Sequence, residues 1–125
     1  MKANFISVGA ACAALGIGLG AFGAHGLRGV IGEAQLGLWE TATRYWLVGA
    51  LGMALFGLSQ RTRAQSSAPQ SSAPGWLLLL GSTLFAASLY GLALGAPRAL
   101  GAITPLGGLG LITGFLGFAW TARQR

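Results

Sequence analysis

The acids and the one histidine of this sequence fall within a short stretch: His25, Glu33 and Glu40, with Arg28 and Arg44 among them. Glu40 and Arg44 stand in the i, i+4 order, acid before base, that favours pairing on a helix. A lone arginine in hydrocarbon costs at least about 2.5 kcal/mol on insertion scales, so Arg44 is expected to find a partner, and Glu40 is the nearest. Two readings share these residues. One is an anchor that fixes a helix at a membrane surface; the other is a polar binding site built from His25, Arg28, Glu40 and Arg44. Thr104, followed by Pro105, opens a later helix, where its hydroxyl can cap free N–H groups and where the helix N-terminus can also take an anion. Catalysis is not expected: with no Asp, one His and no lysine inside an apolar stretch, a nucleophile lacks an oriented base. Cys12 and His25 cannot supply four metal ligands, and one cysteine forms no intrachain disulfide. No enzyme activity, metal or cofactor is therefore expected.

The elements that must hold these residues are set by composition. The chain has 125 residues, 54% hydrophobic and only 8% charged, against about 25% charged in soluble domains. Ten charges do not cover the outside of a water-soluble fold, and the length allows a single domain, 1–125. About 20 residues of helix cross a hydrocarbon core about 30 Å thick. Uncharged runs predict spans over about 3–24, 76–95 and 104–122, and a second span over 41–60 with Arg44 a turn inside its boundary. Trp39, Tyr45 and Trp46 then fit an aromatic belt at the headgroup level. Glu33, Gly37, Glu40 and Arg44 share one helical face, while Leu36, Trp39 and Thr43 share another. This pattern predicts an interfacial helix between spans one and two. The expected fold is thus all-α and membrane-integral: four transmembrane helices in an antiparallel bundle, plus that interfacial helix.

Residues 61–75 read as a flexible linker in which Gln-Ser-Ser-Ala-Pro occurs at 65–69 and again at 70–74. The apolar run after Lys2 exceeds a signal-peptide core of about 7–15 residues, so a retained first helix is expected. The net charge of +6 is scattered in ones and twos, as topology signals are, and does not form the basic face of a nucleic-acid binder. With four spans, Lys2, Arg61, Arg63, Arg123 and Arg125 lie on one side, and Arg28, Arg44 and Arg98 on the other. The excess places both termini and the linker in the cytoplasm. Small residues line up as grooves for helix packing: Cys12, Gly16, Gly20 and Ala24; Thr83, Ala87, Gly91 and Gly95; Gly107, Gly110, Gly114 and Gly117. Ser88 and Tyr90 are placed to hydrogen-bond across helices. Gly18-Leu-Gly-Ala-Phe-Gly23 matches the dinucleotide pattern G-x-G-x-x-G, but it lies inside an apolar helix with no preceding strand, and is rejected.

Four phrases occur in order: Gly20-Ala-Phe-Gly-Ala-His-Gly-Leu27, Trp39-Glu-Thr-Ala-Thr-Arg-Tyr45, Ala87-Ser-Leu-Tyr-Gly91 and Gly101-Ala-Ile-Thr-Pro-Leu-Gly-Gly108. Together they resemble the family called domain of unknown function 423, which includes YgdD- and YwdK-like proteins and the eukaryotic transmembrane protein 256. The resemblance implies a small multi-pass protein, in bacteria of the inner membrane, and brings no established activity. The family often carries a second histidine after the Arg-Tyr pair. Here Trp46-Leu-Val-Gly-Ala50 has none, so a two-histidine mechanism is not expected. The function expected is structural or accessory, packing against membrane lipids and against its own copies or a larger membrane complex. A small oligomeric channel or transporter is the alternative.

Overall fold

A computed structural model describes residues 4–63 and 70–123. It is all-helical: α1 (Phe5–His25), α2 (Glu33–Thr62), α3 (Ala73–Ala93), a short 3-10 helix (Arg98–Ala102) and α4 (Thr104–Arg123). Three stretches are long and apolar enough to cross a membrane: Phe5–His25, Ala73–Ala93 and Arg98–Arg123. The fourth long helix, α2, differs because its uncharged part runs only from Tyr45 to Gln60. Asn4 caps α1 by accepting from the Ser7 N–H at 3.2 Å. After α3 the chain turns through Gly95 at φ +100°, and the next N–H, of Ala96, returns to the Gly91 carbonyl at 2.9 Å. That left-handed residue favours glycine and ends the helix.

The segment expected to form an interfacial helix before span two is continuous with the helix that follows it. Residues 26–32 are a turn, and Glu33 begins one uninterrupted helix of 30 residues. No proline interrupts this stretch, and Glu33-Ala-Gln-Leu is rich in good helix formers. The expected faces are nonetheless present: Trp39 and Thr43 are buried, while Glu33, Glu40 and Arg44 are exposed. The linker is shorter than its composition suggests, since α2 continues to Thr62 and α3 starts at Ala73 with Pro74 in its first turn. The first Gln-Ser-Ser-Ala-Pro copy, at 65–69, lies outside the described residues, as do Lys2 and Arg125.

Successive helices pack antiparallel, α1 on α2, α2 on α3 and α3 on α4. Among the described residues α1 and α4 share no packed face, so the row of helices stays open, although Phe5 of α1 also meets Trp76 of α3 and Phe115 of α4 lies against Gly52 of α2. Phe5, Met53, Phe56, Leu78 and Leu111 make the main core, to which α4 adds Phe115 and Phe118. Glycine permits the close approaches. A Cβ on Gly9 would lie 2.5 Å from the Ala50 carbonyl oxygen of α2, and one on Gly81 would lie 2.6 Å from the Leu111 nitrogen of α4. The α4 line of Gly107, Gly110, Gly114 and Gly117 faces α3, as its spacing predicts. The α3 line faces no long helix: Thr83, Ala87 and Gly95 are exposed and Gly91 meets Leu100 of the 3-10 helix, while Gly81, Ser82 and Ala86 are buried instead. On α1 the buried glycines are Gly9, Gly16 and Gly23, one heptad apart, and Ala24 is exposed.

Candidate functional site: a polar seam across four helices

Two tryptophans on α2 organise the α1 interface. Trp39 Nε1 donates to the Leu19 carbonyl at 2.8 Å, and Trp46 Nε1 donates to the Cys12 carbonyl at 2.7 Å. Donors and acceptors are both one heptad apart, running in opposite directions along antiparallel helices. The rings occupy the space that glycine leaves. A Cβ on Gly23 would lie 2.6 Å from Trp39 Nε1, and one on Gly16 would lie 2.8 Å from Trp46 Cδ1. A helix carbonyl has a second lone pair, so it accepts the indole without giving up its own helical bond. Trp39 is 5% exposed and Trp46 is half-buried, so both turn inward and away from the aromatic belt expected of them, whereas Tyr45 is 41% exposed. The inward turn has a simple cause: an indole N–H needs an acceptor, and the glycine grooves bring α1 carbonyls within reach.

The seam continues through α3. Thr43 Oγ1 donates to the Trp39 carbonyl at 3.1 Å, which leaves Tyr90 as donor to Thr43 across a 2.6 Å contact. The Trp39 and Tyr90 rings lie 4.3 Å apart between centroids, and Leu27 and Ala93 complete the cluster. Further along, Ser88 Oγ donates to the Phe85 carbonyl, so Thr104 Oγ1 donates to Ser88 at 2.5 Å, joining α3 to the start of α4. Cross-helix bonding by Ser88 and Tyr90 agrees with expectation. Thr104 serves a different purpose from the capping expected of it, because it is already the first helical residue and its hydroxyl is held by α3. Among the described residues no buried side-chain polar atom lacks a hydrogen-bond partner.

The other candidate residues lie outside this seam. His25 is the last residue of α1, Arg28 sits in the following turn, and Glu40 and Arg44 lie on the outer face of α2; all four are exposed. Of the candidates, only Thr104 is half-buried and held by another helix. Sequence reasoning missed Trp39, Thr43 and Trp46 as the organising residues. The available signal was the heptad match between Gly16 and Gly23 on one helix and Trp39 and Trp46 on the next. Each of the four distinctive phrases contributes to the seam: Gly23, then Trp39 and Thr43, then Ser88 and Tyr90, then Thr104.

Residues 19–108 match the family described as a protein of unknown function (DUF423). A UPF0382 membrane protein of Staphylococcus haemolyticus is 44% identical over 90% of this chain and 88% of its own length. The UPF0382 membrane protein YwdK of Bacillus subtilis is 43% identical over 90% of this chain and 89% of its own length. No solved structure matches. On both the motif match and these relatives, the chain belongs to DUF423, an uncharacterised family of membrane proteins.

Proposed function

We propose that the protein is a four-span inner-membrane protein with an accessory, helix-packing role, and that its chemistry serves assembly and not turnover. The observation that carries this reading is the use of the motif residues: Trp39, Thr43, Tyr90, Ser88 and Thr104, with Trp46 just after them, join the protein's own helices. The open arrangement supports a partner, since α1 and α4 do not pack on each other and expose Leu15, Ile17, Leu109, Ile112 and Leu116. Membranes associate helices through such faces by close packing. Four spans are supported by the length of α2. Its 30 residues extend about 45 Å, enough for Tyr45–Gln60 to sit in hydrocarbon while Arg44 and Arg61 reach the two surfaces. The cation count favours cytoplasmic termini.

Solubilisation in mild detergent followed by sizing tests the role. Copies or a defined complex larger than one chain are expected; a stable lone monomer under every mild condition overturns it. Flux of small anions into liposomes carrying the protein, lost on replacing Arg28 or Arg44 by Gln, would establish the channel reading in its place.

A further inference from the structure

The outer face of α2 carries large apolar residues and charges of both signs on one stripe. Val48, Leu51, Leu55 and Leu58 are exposed there. Arg44 precedes them and Thr62 follows, both exposed, so the run from 44 through 48, 51, 55 and 58 to 62 alternates steps of four and three. That alternation is the seam spacing of two helices wound on each other, a geometry that helices in membranes also use. The stripe is clear of the neighbouring helices. Gly9, Gly16 and Gly23 of α1 meet Ala50, Leu47 and Trp39, and Gly49 meets Ser82 of α3. At about 3.6 residues per turn, the stripe lies about a third of a turn round α2 from its α1 contacts, and further from Gly49. Glu33 and Glu40, the only acids of the chain, share this face with Arg44. Of the described helices, α2 alone carries both signs of charge. An i, i+4 pair within one exposed helix is weak and leaves bonding capacity on both groups, since a carboxylate accepts at several sites and a guanidinium has five donors.

We infer that this face of α2 packs on the same face of a second copy of the chain, about a two-fold axis along the membrane normal, with each Arg44 set against the partner's Glu40. This rests on the accessory, helix-packing reading and names its partner. Two copies inserted in the same orientation bring the stripes together parallel and in register, each meeting its own duplicate. Long side chains lean towards the N-terminus of their helix, so each Arg44 comes level with the partner's Glu40. Two acids and two bases then form a neutral cluster, and the valine and leucines interdigitate along the rest of the seam. Charges beside such a seam select partner and orientation. The apolar edges at α1 and α4 fit lipid or any apolar helix. An acid and a base one turn apart on α2 fit a copy of themselves, whereas an anionic lipid would answer Arg44 and place a like charge beside Glu40.

The first test is cysteine cross-linking of the full-length chain in the membranes of producing cells, with Cys12→Ala removing the native thiol. Leu51→Cys and Leu55→Cys are each expected to give a disulfide-linked species of twice the chain mass, while Ile17→Cys on α1 and Leu109→Cys on α4 give none. The second test exchanges charges. Arg44→Glu and Glu40→Arg each bring four like charges together at the contact and are expected to weaken self-association in mild detergent about tenfold, read by sizing on dilution. Mixing these two variants is expected to restore pairing, because each supplies the charge that the other lacks. A pair confined to one helix gives no such rescue. Absence of cross-links on α2, or no rescue on mixing, overturns the contact. A defined complex without a second copy overturns this partner and leaves the accessory reading standing, whereas a stable lone monomer under every mild condition overturns both.

Discussion

At the end of the row formed by the 26–32 and 94–103 turns, Trp39, Thr43, Tyr90, Ser88 and Thr104 direct their polar atoms at other helices of the same chain. At the other end, which carries residues 60–63 and 70–72, Arg61 and Arg123 are exposed, and among the described residues Arg63 is the one cation that makes a cross-helix bond. The residue types explain the division. An indole or hydroxyl is small enough to be satisfied by one carbonyl or one partner hydroxyl, whereas a guanidinium carries more donors than a helix interface can satisfy. One end is therefore expected to set stability and register, and the other to set contact with the surroundings.

Substitutions test that division, beginning with the greatest effect. Trp39→Ala removes a buried indole from between α1 and α3 and is expected to destabilise by about 3–5 kcal/mol, read as a lower melting temperature in detergent with separation of α1 from α2. Gly81→Val forces a side chain onto the α4 backbone and is expected to cost about 1–3 kcal/mol by overpacking, seen in the same melting assay and in greater proteolysis near Gly95. A double-mutant cycle of Thr43→Val and Tyr90→Phe should give a coupling near the membrane average of about 0.6 kcal/mol. Zero coupling would mean that the hydroxyl pair contributes nothing to joining α2 and α3. Glu40→Gln and Arg61→Gln, both at exposed positions, should leave melting within error. A larger loss in Arg61→Gln than in the Thr43→Val single mutant would invert the comparison between the two ends.

Much of the helical layout is legible from where charges are missing. Long helices occur where the uncharged runs predict them: Phe5–His25 over 3–24, Ala73–Ala93 over 76–95, and Thr104–Arg123 over 104–122. α2 is harder to read, because Gly32, Gly37 and the charges of 33–44 resemble a break. Gly37 lies within the continuous helix α2 and faces open space, so it does not end the helix. The site was less legible than the fold. Charge draws attention to His25, Arg28, Glu40 and Arg44, yet these are exposed, while the atoms that join helices are indole and hydroxyl groups, which composition cannot distinguish from an aromatic belt. Whether Trp39 faces lipid or α1 depends on what lies opposite, and that becomes visible only once Gly23 is aligned with it. The same applies to α3, where Thr83 and Ala87 have the spacing of a groove but Gly81 and Ser82 hold the face that α2 and α4 meet.

The paired indoles on α2 have a consequence for how the first two helices can move. Sliding α2 by one turn, about 5.4 Å, would unseat both tryptophans from their carbonyls at once and drive both rings out of their glycine notches. No half-step satisfies one indole while releasing the other, because their spacing matches that of their acceptors. The first hairpin therefore behaves as a rigid strut, fixed in length and in rotation, and any rearrangement of the molecule must take place at α3 and α4.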